Sequence, residues 1–180
     1  MFRRSRQQDQ SPTPKPRVYL AGKISQHGWR ERIAHSTLDA NDPLNPYEVV
    51  GFPSFVTSGP FFIGCGHGCS HADTMHGQGW SMSDSRRRRV FAANIARIEN
   101  SDFVFAHINE VDCFGTLFEL GHAHAAGIPT FIHFGEDLTD RQKSELWFAR
   151  MGCIPILGSI EDAFDRALDI WRAACATNTI

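Results

Sequence analysis

Two adjoining stretches of the chain carry the clearest patterning. Phe103-Val-Phe-Ala-His-Ile108 is a short apolar run rich in β-favouring residues, and from Thr116 to Ala126 small and apolar residues recur at helical spacing until Gly127 and Pro129 stop them. They predict a strand, a tight loop and a helix. The same reading extends in both directions. Arg17 to Ala21 alternates as a first strand ending at Gly22, Trp29 to Ala40 is an amphipathic helix with Trp29, Ile33 and Leu38 inward, and Pro46 to Val50 is a second strand. Asp84 is expected to cap a helix that runs to Asn100 with Phe91, Ile95 and Ile98 as its apolar stripe. Ile128 to Phe134 reads as a further strand, Thr139 to Arg150 as a helix capped by Thr139, and Ser159 to Ala176 as a last helix with Phe164, Leu168 and Trp171 inward.

Strands and helices that alternate in this way imply one doubly wound α/β domain, flavodoxin- or Rossmann-like, with a parallel sheet and helices on both faces. The domain is expected to span residues 17–180, behind a disordered tail at 1–16 rich in Gln, Ser and Pro. Within it, residues 51–83 sustain no period and are full of Gly, Ser and His, so they read as an irregular insertion whose length suggests a functional role.

Composition narrows the class. A chain of 180 residues, 42% of them hydrophobic, can bury one good core. Its net charge is −2, but residues 1–16 carry Arg3, Arg4, Arg6 and Lys15 against Asp9, a net of +3, which leaves −5 on the rest. That is no footprint of a nucleic-acid-binding body. The sequence shows neither the apolar core of a signal peptide nor a run of roughly twenty apolar residues that would span a membrane. A cytoplasmic protein is expected, and the five cysteines then read as reduced thiols or metal ligands.

The candidate chemistry centres on Glu119, placed in the first turn of the helix that follows the Phe103–Ile108 strand. Ligands of open α/β sheets bind beyond the carboxyl ends of the strands, where helix N-termini offer free N–H groups. A carboxylate there should face the ligand crevice and stay ionised near neutral pH.

Two segments together, Val18-Tyr-Leu-Ala-Gly-Lys-Ile24 with Arg30 close behind, and Asp102-Phe-Val-Phe-Ala followed by Gly115-Thr-Leu-Phe-Glu-Leu-Gly-His-Ala123, resemble the nucleoside 2-deoxyribosyltransferase family, which includes nucleoside 5′-monophosphate N-glycosidases. The resemblance implies a glutamate nucleophile, Glu119, that attacks the anomeric carbon of a nucleoside or nucleotide and releases the base to water or exchanges it for a second base. It implies Tyr19 as the residue orienting that glutamate. Gly22, Lys23 and Ile24 would approach the sugar or a 5′-phosphate, with Arg30 a phosphate ligand and Gly115 and Thr116 lining the substrate. Relatives complete their sites from a neighbouring subunit, so a homodimer or larger assembly is implied, and the mechanism needs no cofactor.

The chain departs from the family pattern twice. Where the family carries an aspartate that protonates the leaving base, eight residues before Asp102, this sequence has Asn94, and an amide is no general acid. Where an acid stands six before the nucleophile, this sequence has Cys113, with Asp112 one place off. Asn94 and Asp112 are therefore expected to contact base or sugar. In the insertion, Cys65-Gly-His-Gly-Cys-Ser-His71 and His76 make a dense set of zinc-type ligands (Cys65, His67, Cys69, His71), although one-residue spacing differs from that of zinc knuckles. The plainer reading is a Gly-rich lid, from which an imidazole could supply the missing proton.

Arg86-Arg-Arg-Arg89 reads as a solvated face, His122 and His124 as structural histidines with His122 in reach of Glu119, and Trp147, Phe148 and Trp171 as core or interface residues. Two rival functions stand beside glycosyl transfer. One is a non-catalytic nucleotide-binding sensor or regulatory module, and the other a glycohydrolase acting on a dinucleotide such as NAD.

Overall fold

The structure is a computed structural model that describes residues 15–23, 29–34, 49–52, 55–59 and 83–177. Its elements are β1 (Arg17–Gly22), α1 (Trp29–Ala34), β2 (Val49–Phe52), β3 (Phe55–Ser58), α2 (Asp84–Glu99), β4 (Phe103–Ile108), α3 (Phe114–Ala125), β5 (Thr130–Phe134), α4 (Asp140–Glu145), α5 (Trp147–Met151), β6 (Ile154–Ile156) and α6 (Ile160–Ala176). The strands form one sheet in the order β2-β3-β1-β4-β5-β6. From β3 to β6 every neighbouring pair is parallel, and β2 closes the edge antiparallel to β3. β1 therefore sits at the point where the strand order reverses, the place where doubly wound sheets open a crevice.

Strand alternation divides the core into two layers. Val18, Leu20, Phe103, Phe105, Phe131 and Ile156 pack against Trp29 and Ile33 of α1 and the inner face of α6. On the opposite face Tyr19, Ala21, Val104, Ala106, Ile108 and Ile132 pack against Ile98 of α2 and Leu120 and Ala123 of α3. Every residue of β4 is buried, because helices cover both of its faces, which is why the strand reads as a continuous apolar run. Edge-on aromatic pairs lock the first layer, Phe103 with Phe131 at 5.4 Å and Phe105 with Phe164 at 5.2 Å.

α3 owes its limits to local chemistry. Thr116, Leu120 and Ala123, at helical spacing, are its buried side. Gly127 adopts φ +72°, and the N–H groups of Gly127 and Ile128 donate to His124 and Ala123 carbonyls at 3.1 and 3.0 Å, the double bond of a Schellman ending. Ile128 also packs on the same apolar cluster as Ala123.

Several expectations need correction. Residues 51–52 and 55–58 are not irregular: the first two complete β2 and the others form β3, four-residue strands too short to sustain a period. Residues 35–40, 46–48 and 60–82 lie outside the described residues, as do Leu38 and the set Cys65, His67, Cys69, His71 and His76. β6 was not expected; it is three residues long with a central proline, which its place on the sheet edge tolerates. The helix expected over 139–150 is two, α4 with a full Thr139–Gln142 capping box and α5 after a reset at Leu146. The reset lets Leu146 and Ala149 both reach the α3 layer. It leaves Trp147 and Phe148 at 59% and 78% exposure, so only Trp171 of the three expected aromatics is core. In α2 the cap position is Ser83 and Asp84 is already helical. Phe91 is exposed and pairs with Phe118, while Val90 and Ile98 are buried.

Gly22 ends β1 at φ +146°, and a Cβ there would lie 2.6 Å from the His107 carbonyl oxygen and 3.1 Å from the Trp29 ring. Gly22→Ala is expected to lower unfolding free energy by roughly 2 kcal/mol or more, since it adds a backbone clash to an unfavourable φ. Urea denaturation of the variant against wild type measures this.

Candidate active site

Tyr19 stands in the middle of β1 on the α3 side, fully buried, and a buried phenol needs a polar partner. It finds one across the interface with α3: its hydroxyl donates to Glu119 Oε1 at 2.5 Å. Glu119 lies in the second turn of α3, since the helix starts at Phe114, earlier than expected. Burial pushes the Glu119 carboxyl up to about 7, against the lowering effects of the Tyr19 hydrogen bond and the Arg30 charge. The expectation that it stays fully ionised at neutral pH is thus corrected: desolvation outweighs both Tyr19 and Arg30, and the second turn lies beyond the reach of the helix terminus. The Tyr19 phenol is raised well above its ordinary range, first by burial and then by the Glu119 charge, so it remains a donor.

Arg30, expected as a phosphate ligand, is engaged with the main chain. Its Nε and Nη2 donate to the Leu20 carbonyl at 3.1 and 2.7 Å, Nη2 also to Gly22 at 2.7 Å, and Nη1 to Lys23 at 2.9 Å. The guanidinium lies 4.6 Å over the Trp29 ring. Burial lowers its pKa to about 10, which leaves it a cation at any physiological pH.

At the rim, Lys23 reaches from the end of β1 to the β4–α3 loop. Its Nζ donates to Glu110 and, at 3.4 Å, to Asp112, and the Glu110 hydrogen bond is the main reason its pKa is raised. Asp112 is exposed, so its described partner is Lys23 rather than anything deeper. Asn94 is half-buried on α2, and its Oδ1 accepts from Arg97 Nη1 at 3.4 Å. Thr116 is buried, and Gly115 has open space where a side chain would stand. Ile24 lies outside the described residues.

His122 does not contact Glu119 as expected; its Nε2 meets Glu99 on α2 at 3.2 Å. Arg87, Arg88 and Arg89 are exposed, with Arg87 bonded to Asp84, in keeping with a solvated face. Among the described residues no group of three or more His, Cys, Asp or Glu is disposed to hold a metal. An apolar groove of about 400 Å³ between α3 and α5, lined by Leu117, Leu120, His124, Phe148 and Met151, contains none of the site's groups.

A buried histidine pair had no role in the sequence reading. His107 and His133 are register partners on β4 and β5, their rings stack at 5.0 Å, and their Nδ1 atoms are 2.8 Å apart. His133 Nε2 donates to the Gly158 carbonyl at 3.0 Å, so in the neutral ring its Nδ1 accepts and His107 Nδ1–H donates. Burial lowers both, His107 to about 4 with His133 as the second cause, which keeps the pair neutral. The alternation Phe103-Phe105-His107 beside Phe131-His133 was the available clue.

The sheet is doubly wound α/β, and its tyrosine–carboxyl pair lies at the strand where the order reverses, the region where sheets of this class bind ligands. A family model for nucleoside 2-deoxyribosyltransferases matches residues 18–146, well over half of the chain, and the protein belongs to that family. No curated protein and no solved structure matches the chain significantly. No helix among the described residues is long and apolar enough to cross a membrane.

The raised Glu119 carboxyl fixes a sign for stability. Its folded pKa of about 7 exceeds the ordinary 4.5, so the folded state favours the protonated form, and stability conferred below pH 4.5 is lost as pH rises through 7. Glu119→Gln removes that dependence. The variant is expected to gain stability over wild type between pH 5 and pH 8, by up to about 3 kcal/mol in a group so placed. Denaturation at the two pH values checks it; a pH-independent difference counts against the assignment.

Proposed function

We propose that the protein cleaves or exchanges the N-glycosidic bond of a nucleoside or nucleoside 5′-monophosphate, with Glu119 as nucleophile. The observation that carries the reading is the Tyr19 hydroxyl at 2.5 Å from Glu119 Oε1, in a family whose members act on nucleosides. Tyr19 occupies one carboxylate oxygen and leaves the other for attack. That oxygen forms a bond to the anomeric carbon, the carbon–nitrogen bond breaks, and its electron pair leaves with the base. Water or a second base then displaces Glu119 from the glycosyl ester, and the choice of acceptor separates hydrolysis from transfer.

The remaining roles follow from chemistry. Asn94 can hydrogen-bond the base but cannot protonate it. Lys23, Glu110 and Asp112 form a charged rim over the end of β1. Gly22, Lys23 and Ile24, with Gly115 and Thr116 at the start of α3, hold sugar and 5′ end. No cofactor enters this mechanism, and a second subunit supplies the rest of the enclosure.

The test is release of free base, followed by chromatography, from a panel of nucleosides, nucleoside monophosphates and NAD. Glu119→Ala is expected to lower kcat on the order of 10³-fold or more and Tyr19→Phe roughly 10²-fold. Activity of the wild type should fall as pH drops below about 7, because only the Glu119 carboxylate attacks. Base release that survives Glu119→Ala would refute the nucleophile, and no release from any of the panel would leave a nucleotide-binding module as the function.

A further inference from the structure

β3 ends at Ser58, the register partner of Tyr19, three residues short of the end of β1 at Gly22. The Leu20 N–H still reaches the Gly59 carbonyl at 3.1 Å, and the carbonyls of Leu20 and Gly22 point to the same edge, beyond the last strand residue of β3. Arg30 takes the place of a strand there. One planar fork bonds the carbonyls of Leu20, Gly22 and Lys23, a converging set that a lysine, a single point charge, cannot match. Its placement owes nothing to helix stability, because Arg30 is the second residue of α1, where a cation is disfavoured.

We propose that Arg30 is the positioning residue of the Tyr19–Glu119 site: it holds the end of β1 in the shape that sets Tyr19 against α3, and it keeps a fixed positive charge within electrostatic reach of the carboxylate. The inference rests on the glycosidic reading for its effect on turnover but not for its geometry. Tyr19 and the three carbonyl-bearing residues lie within five consecutive positions of β1 and its turn, so a shift of the turn moves the phenol. The groups acting on the carboxyl are the Tyr19 hydroxyl from β1, through its hydrogen bond, and the Arg30 charge from α1, and Tyr19 in turn feels Arg30 and, from α2, Arg97. Arg30 lowers the carboxyl, opposing the burial that raises it.

Two variants divide the roles. Arg30→Gln removes the charge, and the Glu119 carboxyl, followed by carbon-13 NMR with Glu119→Gln for assignment, should titrate at a higher pH than in the wild type, with the acid limb of the kcat profile moving equally. Arg30→Lys keeps the charge and loses the fork; its acid limb should stay at the wild-type pH while kcat/KM falls roughly 10²-fold through misplacement. A folded Arg30→Gln with an unmoved carboxyl and limb overturns the electrostatic half. Arg30→Lys with wild-type kcat and KM overturns the positioning half, and it decides alone should Arg30→Gln not fold. If the wild type releases no base from any substrate, the glycosidic reading fails, and the carboxyl titration still decides the place of Arg30.

Discussion

β1 and β4 lie at the centre of a sheet covered on both faces, and that single constraint governs the polar chemistry of the molecule. A polar atom on either strand has no access to water and must be answered by the protein, because an unmet buried group costs about 1–3 kcal/mol. Three such demands arise on these two strands. The Tyr19 hydroxyl is answered by Glu119, the carbonyls at the end of β1 by Arg30, and His107 by His133 and through it Gly158. The tyrosine–carboxyl pair is thus one of several solutions to the hydrogen-bonding demands of a buried sheet.

The same enclosure sets the electrostatics. A carboxyl brought against a buried phenol loses hydration, and although both Tyr19 and Arg30 favour its charged form, burial prevails and carries Glu119 to about 7. A carboxylate near its pKa at neutral pH is more basic than an exposed glutamate. The rim behaves oppositely. Lys23, Glu110 and Asp112 are substantially exposed, so their mutual attraction is screened and contributes little to stability, although it ties the two loops that border the crevice.

Much of this was legible in the sequence, for reasons that can be named. β4 could be bounded to the residue because burial on both faces leaves an uninterrupted apolar run, and α3 could be ended because only Gly127 suits its left-handed stop. Glu119 and Tyr19 stood out through the motifs around them. What escaped was whatever depends on partners distant in sequence. β3 and β6 are strands only because β1 and β5 offer them an edge, and the reset at Leu146 follows from packing on α3. The histidine pair needs the register of two strands, and a charge-bearing Arg30 beside a glycine turn suggests an anion until the main-chain carbonyls around it are seen.

Gly22 has a further consequence for how the site can change. A position that admits no side chain offers natural variation nothing to alter: neither bulk nor charge can be introduced there without a clash against β4. The end of β1 is therefore bare main chain at Gly22, with the His107 carbonyl and the Trp29 ring where a side chain would stand. Any selectivity of the proposed site has to come from the side chains of the surrounding rim and helices, since this position of the main chain presents none.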